Sequence, residues 1–223
     1  MKRLFVLIML AASVATISAQ RFFAPNFTVG VKAGASLSRM SFSPSVKQSF
    51  RPGVTVGVTA RYTEENHFGL IAELLFSQKG WNENFEGAPY QYGRTLNYIE
   101  LPILTHIFFG SRRAKGFVNL GPQVGYLLSD KISTSLTPWQ DLPQVVSPRT
   151  TDQMWMNVEK RFDYGICGGL GGEYRLTPKQ SILIEARFYF GLGNIYPAGK
   201  ADTFSASRSM SIQASAAYLF RVK

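Results

Sequence analysis

From Arg161 to Asn194 the chain alternates with a period of two along two successive arms. On the first arm Phe162, Tyr164, Ile166, Leu170 and Tyr174 share one face with Gly168 and Gly172, and Asp163, Gly165, Cys167, Gly169, Gly171, Glu173 and Arg175 share the other. On the second arm Ile182, Ile184, Ala186, Phe188, Phe190 and Leu192 stand opposite Leu183, Glu185, Arg187, Tyr189 and Gly191. This periodicity predicts paired β-strands. Leu176 to Gln180 forms the turn, because Pro178 fixes φ and has no N–H to give to a ladder.

The same alternation predicts further strands over 26–38, 52–62, 68–79, 95–109, 117–128 and 209–222. Pro102 removes a ladder donor, so a bulge or local break is expected there. The count comes to eight, an even number that lets an antiparallel sheet close without exposed edges. Links after the second, fourth and sixth strands are short. The others are long, the longest running from about Asp130 to Lys160.

Which face points inward decides the class of protein. The charged residues share their face with Gly165, Gly169, Gly171 and Gly191, as a crowded barrel interior requires, whereas a solvent-facing surface gains nothing from so many strand glycines. Large apolar residues then face lipid. Outward aromatics gather at both strand ends, Tyr62, Phe68, Phe109, Tyr174, Tyr218 and Phe220 toward the short turns and Phe76, Tyr126, Phe162, Phe188 and Phe190 toward the long loops. Two interfacial girdles have this form. The expected fold is therefore all-β, an eight-stranded antiparallel up-and-down transmembrane β-barrel, with both termini on the periplasmic side.

Composition narrows the setting. Residues 1–19 have a basic start at Lys2 and Arg3, an apolar run and small residues at Ser18 and Ala19, so they read as a signal peptide that is removed. Residues 20–223 form one domain, and no later apolar run is long enough for a membrane helix. The formal net charge is +10. An exported chain has little access to nucleic acid, so anionic lipid or lipopolysaccharide is the expected partner rather than a nucleic acid. Cys167 is the single cysteine. That excludes an internal disulfide and any CxxC zinc or redox site, and Cys167 reads as a small packed residue.

In order along the chain, GVKAGASLS, ELLFSQKGW, NYIELPIL, NLGPQVGYLLSD, RFDYGICGGLGGEY and RFYFGLGNIY resemble the PorT-like outer-membrane β-barrel family of Bacteroidetes, from Val29 to the chain end. The resemblance implies a small outer-membrane barrel. The founding member is tied to type IX secretion of proteases and to gliding-related machinery, but barrel motifs fix a fold rather than a partner. Phe220 is followed by Arg221, Val222 and Lys223 instead of ending the chain, a departure from the common barrel pattern.

The inward charges are Arg61, Glu73, Glu100, Asp163, Glu173, Arg175, Glu185 and Arg187, joined by Lys32, Lys79, His106 and Arg221. A lumen of eight strands is just wide enough for side chains to fill. The expectation is an internal ion-pair network that plugs it, since an unpaired buried ion is costly. A proton-linked gate or a narrow polar channel is the sharper alternative. Trp81, Phe85, Tyr90, Tyr92, Trp139 and Trp155 are the loop contact candidates, exposed to a partner or folded back onto the barrel mouth. Arg39, Lys47 and Arg51 in the first loop could meet lipopolysaccharide.

Catalysis finds little support. His67 lies in a turn, and His106 has no serine or cysteine at a recognised spacing. Glu73 and Glu100 could suggest glycoside hydrolysis, but a closed lumen admits no sugar chain. Gly168 to Gly172 opens no helix and is no phosphate-cradling loop. No cofactor and no metal are expected. The sequence reads as a monomeric, non-catalytic outer-membrane scaffold or interaction protein with a plugged polar lumen. One alternative is a subunit of a type IX secretion-type machine, in contact with secretion-machine or surface proteins. The other is a soluble periplasmic barrel whose aliphatic faces line a cavity for a small apolar ligand.

Overall fold

The computed structural model describes residues 26–64, 67–83, 85, 90–135, 151–200 and 202–222. The signal segment 1–19 and Trp139 lie outside them. The long strands are β1 (Asn26–Ser43), β3 (Arg51–Thr63), β4 (Phe68–Glu83), β5 (Tyr92–Gly110), β6 (Ala114–Thr134), β7 (Phe162–Thr177), β8 (Gln180–Gly191) and β9 (Ala206–Arg221). A two-residue strand β2 (Gln48–Ser49) pairs with the end of β4, and a single helical turn α1 (Asp152–Trp155) precedes β7. Every long strand pairs antiparallel with the next, and β1 pairs with β9 from Thr28↔Arg221 to Ser43↔Ala206, closing an eight-membered ring. No helix of the described residues is long and apolar enough to cross a membrane, which does not bear on crossing by strands.

Parity along each strand sets the faces. On β8, Ser181, Leu183, Glu185, Arg187 and Tyr189 are buried, while Ile182, Ile184 and Phe188 are exposed, Ile184 to 66%. Val31, Val54, Val56, Val58, Leu70, Leu74, Leu120, Ile166 and Leu170 likewise point out. The aliphatic faces thus line no internal cavity, which is a correction to the soluble ligand-binding alternative. An aqueous surface of this kind would be far beyond what monomers in water expose, and a bilayer removes the cost.

Two details go beyond the expected pattern, and the break expected at Pro102 takes the form of lost pairing. The strands overrun the stretches read from sequence, because β4 continues to Glu83, β5 starts at Tyr92 and β6 runs to Thr134. A bilayer needs only about ten residues per strand, so these ends stand above it as a wall. The register shift on β5 falls at Asn97/Tyr98 rather than at Pro102. Around Pro102 the register holds, but pairing skips Glu73 and Leu74 on β4, and it skips Ile103 and Leu104 toward β6. A proline costs a hydrogen bond without forcing in an extra residue.

Candidate functional site

The lumen is filled in layers, and the middle layer is a closed circuit of ions. Lys32 of β1 donates to Glu73 Oε1 at 2.9 Å and to Glu185 Oε2 at 2.5 Å. Arg187 of β8 donates to Glu73 Oε2 at 2.6 Å and to Glu185 Oε2 at 2.9 Å. Two cations therefore share two carboxylates, and all four side chains are at most 3% exposed. Asn119 completes the shell by donating to Glu185 Oε1 at 2.7 Å, and its own Oδ1 lies 2.7 Å from His106 Nδ1. Charges removed from water are tolerated only when neutralised and hydrogen-bonded on all sides, and this circuit meets both conditions.

Toward the short turns, Arg61 of β3 holds Glu173 of β7 in a bidentate grip at 2.7 and 2.9 Å, and Ser181 Oγ donates to Glu173 at 2.6 Å. The space left between this pair and the ion circuit is about 10 Å³, no more than a single water needs. Arg175 faces the turn-end mouth beyond it. Toward the loops, Lys79 pairs with Glu100, and its ammonium sits 3.7 Å from the centre of the Tyr189 ring. Asp163 is buried beside them, with Oδ1 unpartnered. The structure therefore gathers Glu73, Glu185 and Arg187 into one cluster, Arg61 and Glu173 into a second, and Glu100 with Lys79 into a third.

The loop-end mouth is closed by an apolar cap. Met40 and Phe42 of β1, Trp81 of β4, Tyr92, Leu96 and Tyr98 of β5 and Leu127 of β6 turn inward, and Met154, Ile195, Tyr196 and Phe204 fill the space between them. Trp81 is fully buried, Tyr92 and Phe85 nearly so, and Tyr90 and Trp155 pack against the cluster. Of the two expectations for these aromatics, exposure to a partner or folding back onto the mouth, Trp81, Phe85 and Tyr92 show the second. The inward parity of β4 and β5 continues past the bilayer and takes Trp81 and Tyr92 with it, so the aromatics fold onto the mouth.

Sequence reasoning missed Arg94, which ties this cap together. Its guanidinium forks onto Asp130, and Nη1 donates to Met156 O and Tyr196 Oη, both at 2.7 Å, and to Gln153 O at 3.2 Å. Tyr196 Oη donates onward to Gln153 O at 2.8 Å, and burial pushes its phenol well above the ordinary value, so it stays a donor. The parity of β5, with Arg94 two residues before Leu96, was the available signal. Beside the cap, a polar cleft of about 410 Å³ is lined by Arg51, Asn82, Tyr90, Gly93 and Ser133 among others. Arg51 bridges Asn82 Oδ1 and Thr95 Oγ1 at 2.6 and 2.5 Å. Arg39 lies over the exposed Phe50 ring at 5.4 Å.

The candidate catalytic groups are occupied structurally. His106 packs between Phe108 and Phe117 and is bonded to Asn119, and His67 Nδ1 lies 3.2 Å from Phe108 O. Cys167 is buried with Sγ 3.7 Å from Gly121 O. No cluster of three or more metal-ligating side chains occurs among the described residues.

The family model described as outer membrane protein beta-barrel domain matches residues 18–196. No curated protein matches the sequence. Among solved structures, the outer membrane protein OprG from Pseudomonas aeruginosa is similar at a TM-score of 0.52 and 10% identity, covering 89% of this chain and 97% of its own. Ail of Yersinia pestis, solved in complex with a heparin analogue, aligns at 0.45 and 14% identity over 87% of this chain and 99% of its own. Outer Membrane Protein W of E. coli aligns at 0.39 and 14% identity over 89% and 98%. The OprG likeness is one of fold.

Proposed function

Because the chain belongs to the outer membrane protein beta-barrel domain family, we propose that it acts as a non-catalytic, monomeric scaffold of the bacterial outer membrane, with a sealed lumen and a pre-formed loop-end surface for a partner. The observation that carries this reading is the ion circuit of Lys32, Glu73, Glu185 and Arg187, which spans the lumen and leaves about 10 Å³ between itself and the Arg61–Glu173 pair. The cap above it is tied by Arg94 into a surface that a partner meets without first having to order it, and pre-organisation lowers the cost of binding. The short turns and both described chain ends lie at one end, which we assign to the periplasm by the asymmetry general to outer-membrane barrels. Residues 1–19 then serve as the export signal. The resemblance of the ordered motifs from GVKAGASLS to RFYFGLGNIY supports, within this proposal, kinship with PorT-like members.

Refolding of the chain with and without detergent micelles tests the reading, with boiled and unboiled gel migration compared and single-channel current recorded across a planar bilayer. A heat-modifiable band formed only with micelles, together with a silent bilayer, is expected. Steady ion conductance by the folded barrel would overturn the sealed lumen, and a monodisperse fold in plain buffer would overturn the membrane assignment.

A further inference from the structure

Beyond the Arg61–Glu173 pair, strand parity carries more cations to the turn-end mouth than carboxylates. Thr28 of β1 is in register with Arg61 of β3 on one side and Arg221 of β9 on the other. Lys115 of β6 is in register with Glu173, and Arg175 with Ser181. Arg61, Arg175, Lys179 and Arg221 line one shallow recess of about 20 Å³ around Glu173. That carboxylate is already engaged, by Nη1 and Nη2 of Arg61 and by Ser181. Among the described residues the Arg221 side chain bonds the neutral Asn26, at 2.7 Å, and Lys115 lies over the Phe108 ring at 4.2 Å. The buried Nε of Arg61, in a residue 8% exposed, has no partner. Arg61 and Arg175 repel Arg221, and all three repel Lys115.

We propose that this mouth is an anion site that takes a phosphate group. Arg175 of β7 and Arg221 of β9 bring their guanidiniums to the recess, and Lys179 of the β7–β8 turn lines its edge. A planar carboxylate satisfies one such fork, as Glu173 does for Arg61. A tetrahedral phosphate offers three oxygens in different planes and accepts from several cations at once. Exposed Tyr62, Phe68, Phe109 and Phe220 ring the same end. Aromatic belts mark head-group depth, so the phosphate belongs either to a phospholipid head group of that leaflet or to free phosphate.

The experiment uses the full chain refolded in nonionic micelles, with heat-modifiable migration of every variant reporting separately that the barrel has formed. Inorganic phosphate is titrated against chloride at equal ionic strength by calorimetry. In parallel, nanodiscs of mixed phosphatidylcholine and phosphatidylglycerol are extracted for lipid retained by the protein. The expected result is saturable phosphate binding or phosphatidylglycerol retention, weakened about tenfold in Arg175→Gln/Arg221→Gln, the scale of a lost charge-assisted contact. It should be unchanged in Arg112→Gln/Arg113→Gln, on the exposed β5–β6 turn. Free phosphate binding without lipid selectivity assigns the soluble source, and lipid retention alone assigns the head group. Phosphate no better than chloride with no lipid selectivity, or either effect surviving in Arg175→Gln/Arg221→Gln, overturns the proposal.

Discussion

Arg187 and Glu73 meet across the full width of the lumen, Nη1 to Oε2 at 2.6 Å, from strands β8 and β4 that stand opposite each other in the ring. With Lys32 and Glu185 they make a charge-neutral partition through the middle of the barrel. Breaking it from one side leaves a buried cation short of a partner. Glu73→Gln should therefore destabilise the barrel by about 3–5 kcal/mol, whereas replacing Glu73 and Arg187 together by Met should recover much of the loss. Urea unfolding in micelles decides the matter, and equal losses in the single and double variants would refute the coupling.

Ile184 and Glu185 are adjacent in sequence and on opposite faces. Ile184→Arg should cost about 2–4 kcal/mol of stability in a bilayer, the range for a cation at mid-depth on a lipid-facing strand. Folding titrations in vesicles measure this, and an effect near zero would move Ile184 out of the hydrocarbon.

Two glycines of β7 should respond unequally to alanine. A Cβ on Gly171 would overlap the Ile184 carbonyl and lie 2.5 Å from the Phe117 ring, while one on Gly168 meets nothing nearer than Leu120 Cδ1 at 3.5 Å. Gly171→Ala should lose about 1–3 kcal/mol by overpacking and Gly168→Ala should be close to neutral. Matched unfolding midpoints would remove close packing as the reason for glycine at 171.

Removal of Arg94 should release the cap without unfolding the barrel. Arg94→Met removes the donor to Met156 O, one of the two donors to Gln153 O, and the cation paired with Asp130. The expected outcome is rapid proteolytic cutting between Thr151 and Lys160, with heat-modifiable migration retained. A cap as resistant as in the parent chain would show that apolar packing alone holds it.

Cys167 should be inert while the barrel is folded. Its side chain is 1% exposed and faces the lumen between the ion circuit and the cap. Maleimide labelling in micelles should be at least about a hundredfold slower than after boiling, because the thiol reacts only where reagent can reach it. Fast labelling of the unboiled protein would show a lumen open to small molecules.

The strands and their faces were legible in the sequence because a period of two survives wherever one side meets lipid and the other a crowded lumen. Glu73, Glu185 and Arg187 could be placed inward from parity alone, although parity says nothing of which ions pair across the lumen. The cap was less legible. Trp81, Tyr92 and Arg94 obey the same parity as Lys79 and Leu96, but they lie beyond the length a bilayer requires, so they read as loop. Strand ends above the membrane answer to packing against α1 and the Ile195–Phe204 segment, and that packing leaves no periodic signature. Pro102 shows the opposite limit, since a single residue type indicates a lost hydrogen bond but not whether the register shifts.

The pairing of β1 with β9 also imposes an order in time. Asn26 and Arg221 are 195 positions apart yet joined by a hydrogen bond at the seam, so no partial chain can complete the cylinder. Both edges must stay unpaired until the final strand has been delivered, and closing so long a loop carries the largest entropic cost of any contact in the fold. A protein built this way carries two unsatisfied strand edges until the ring closes, and those edges are the places where an unfinished barrel would pair with another chain.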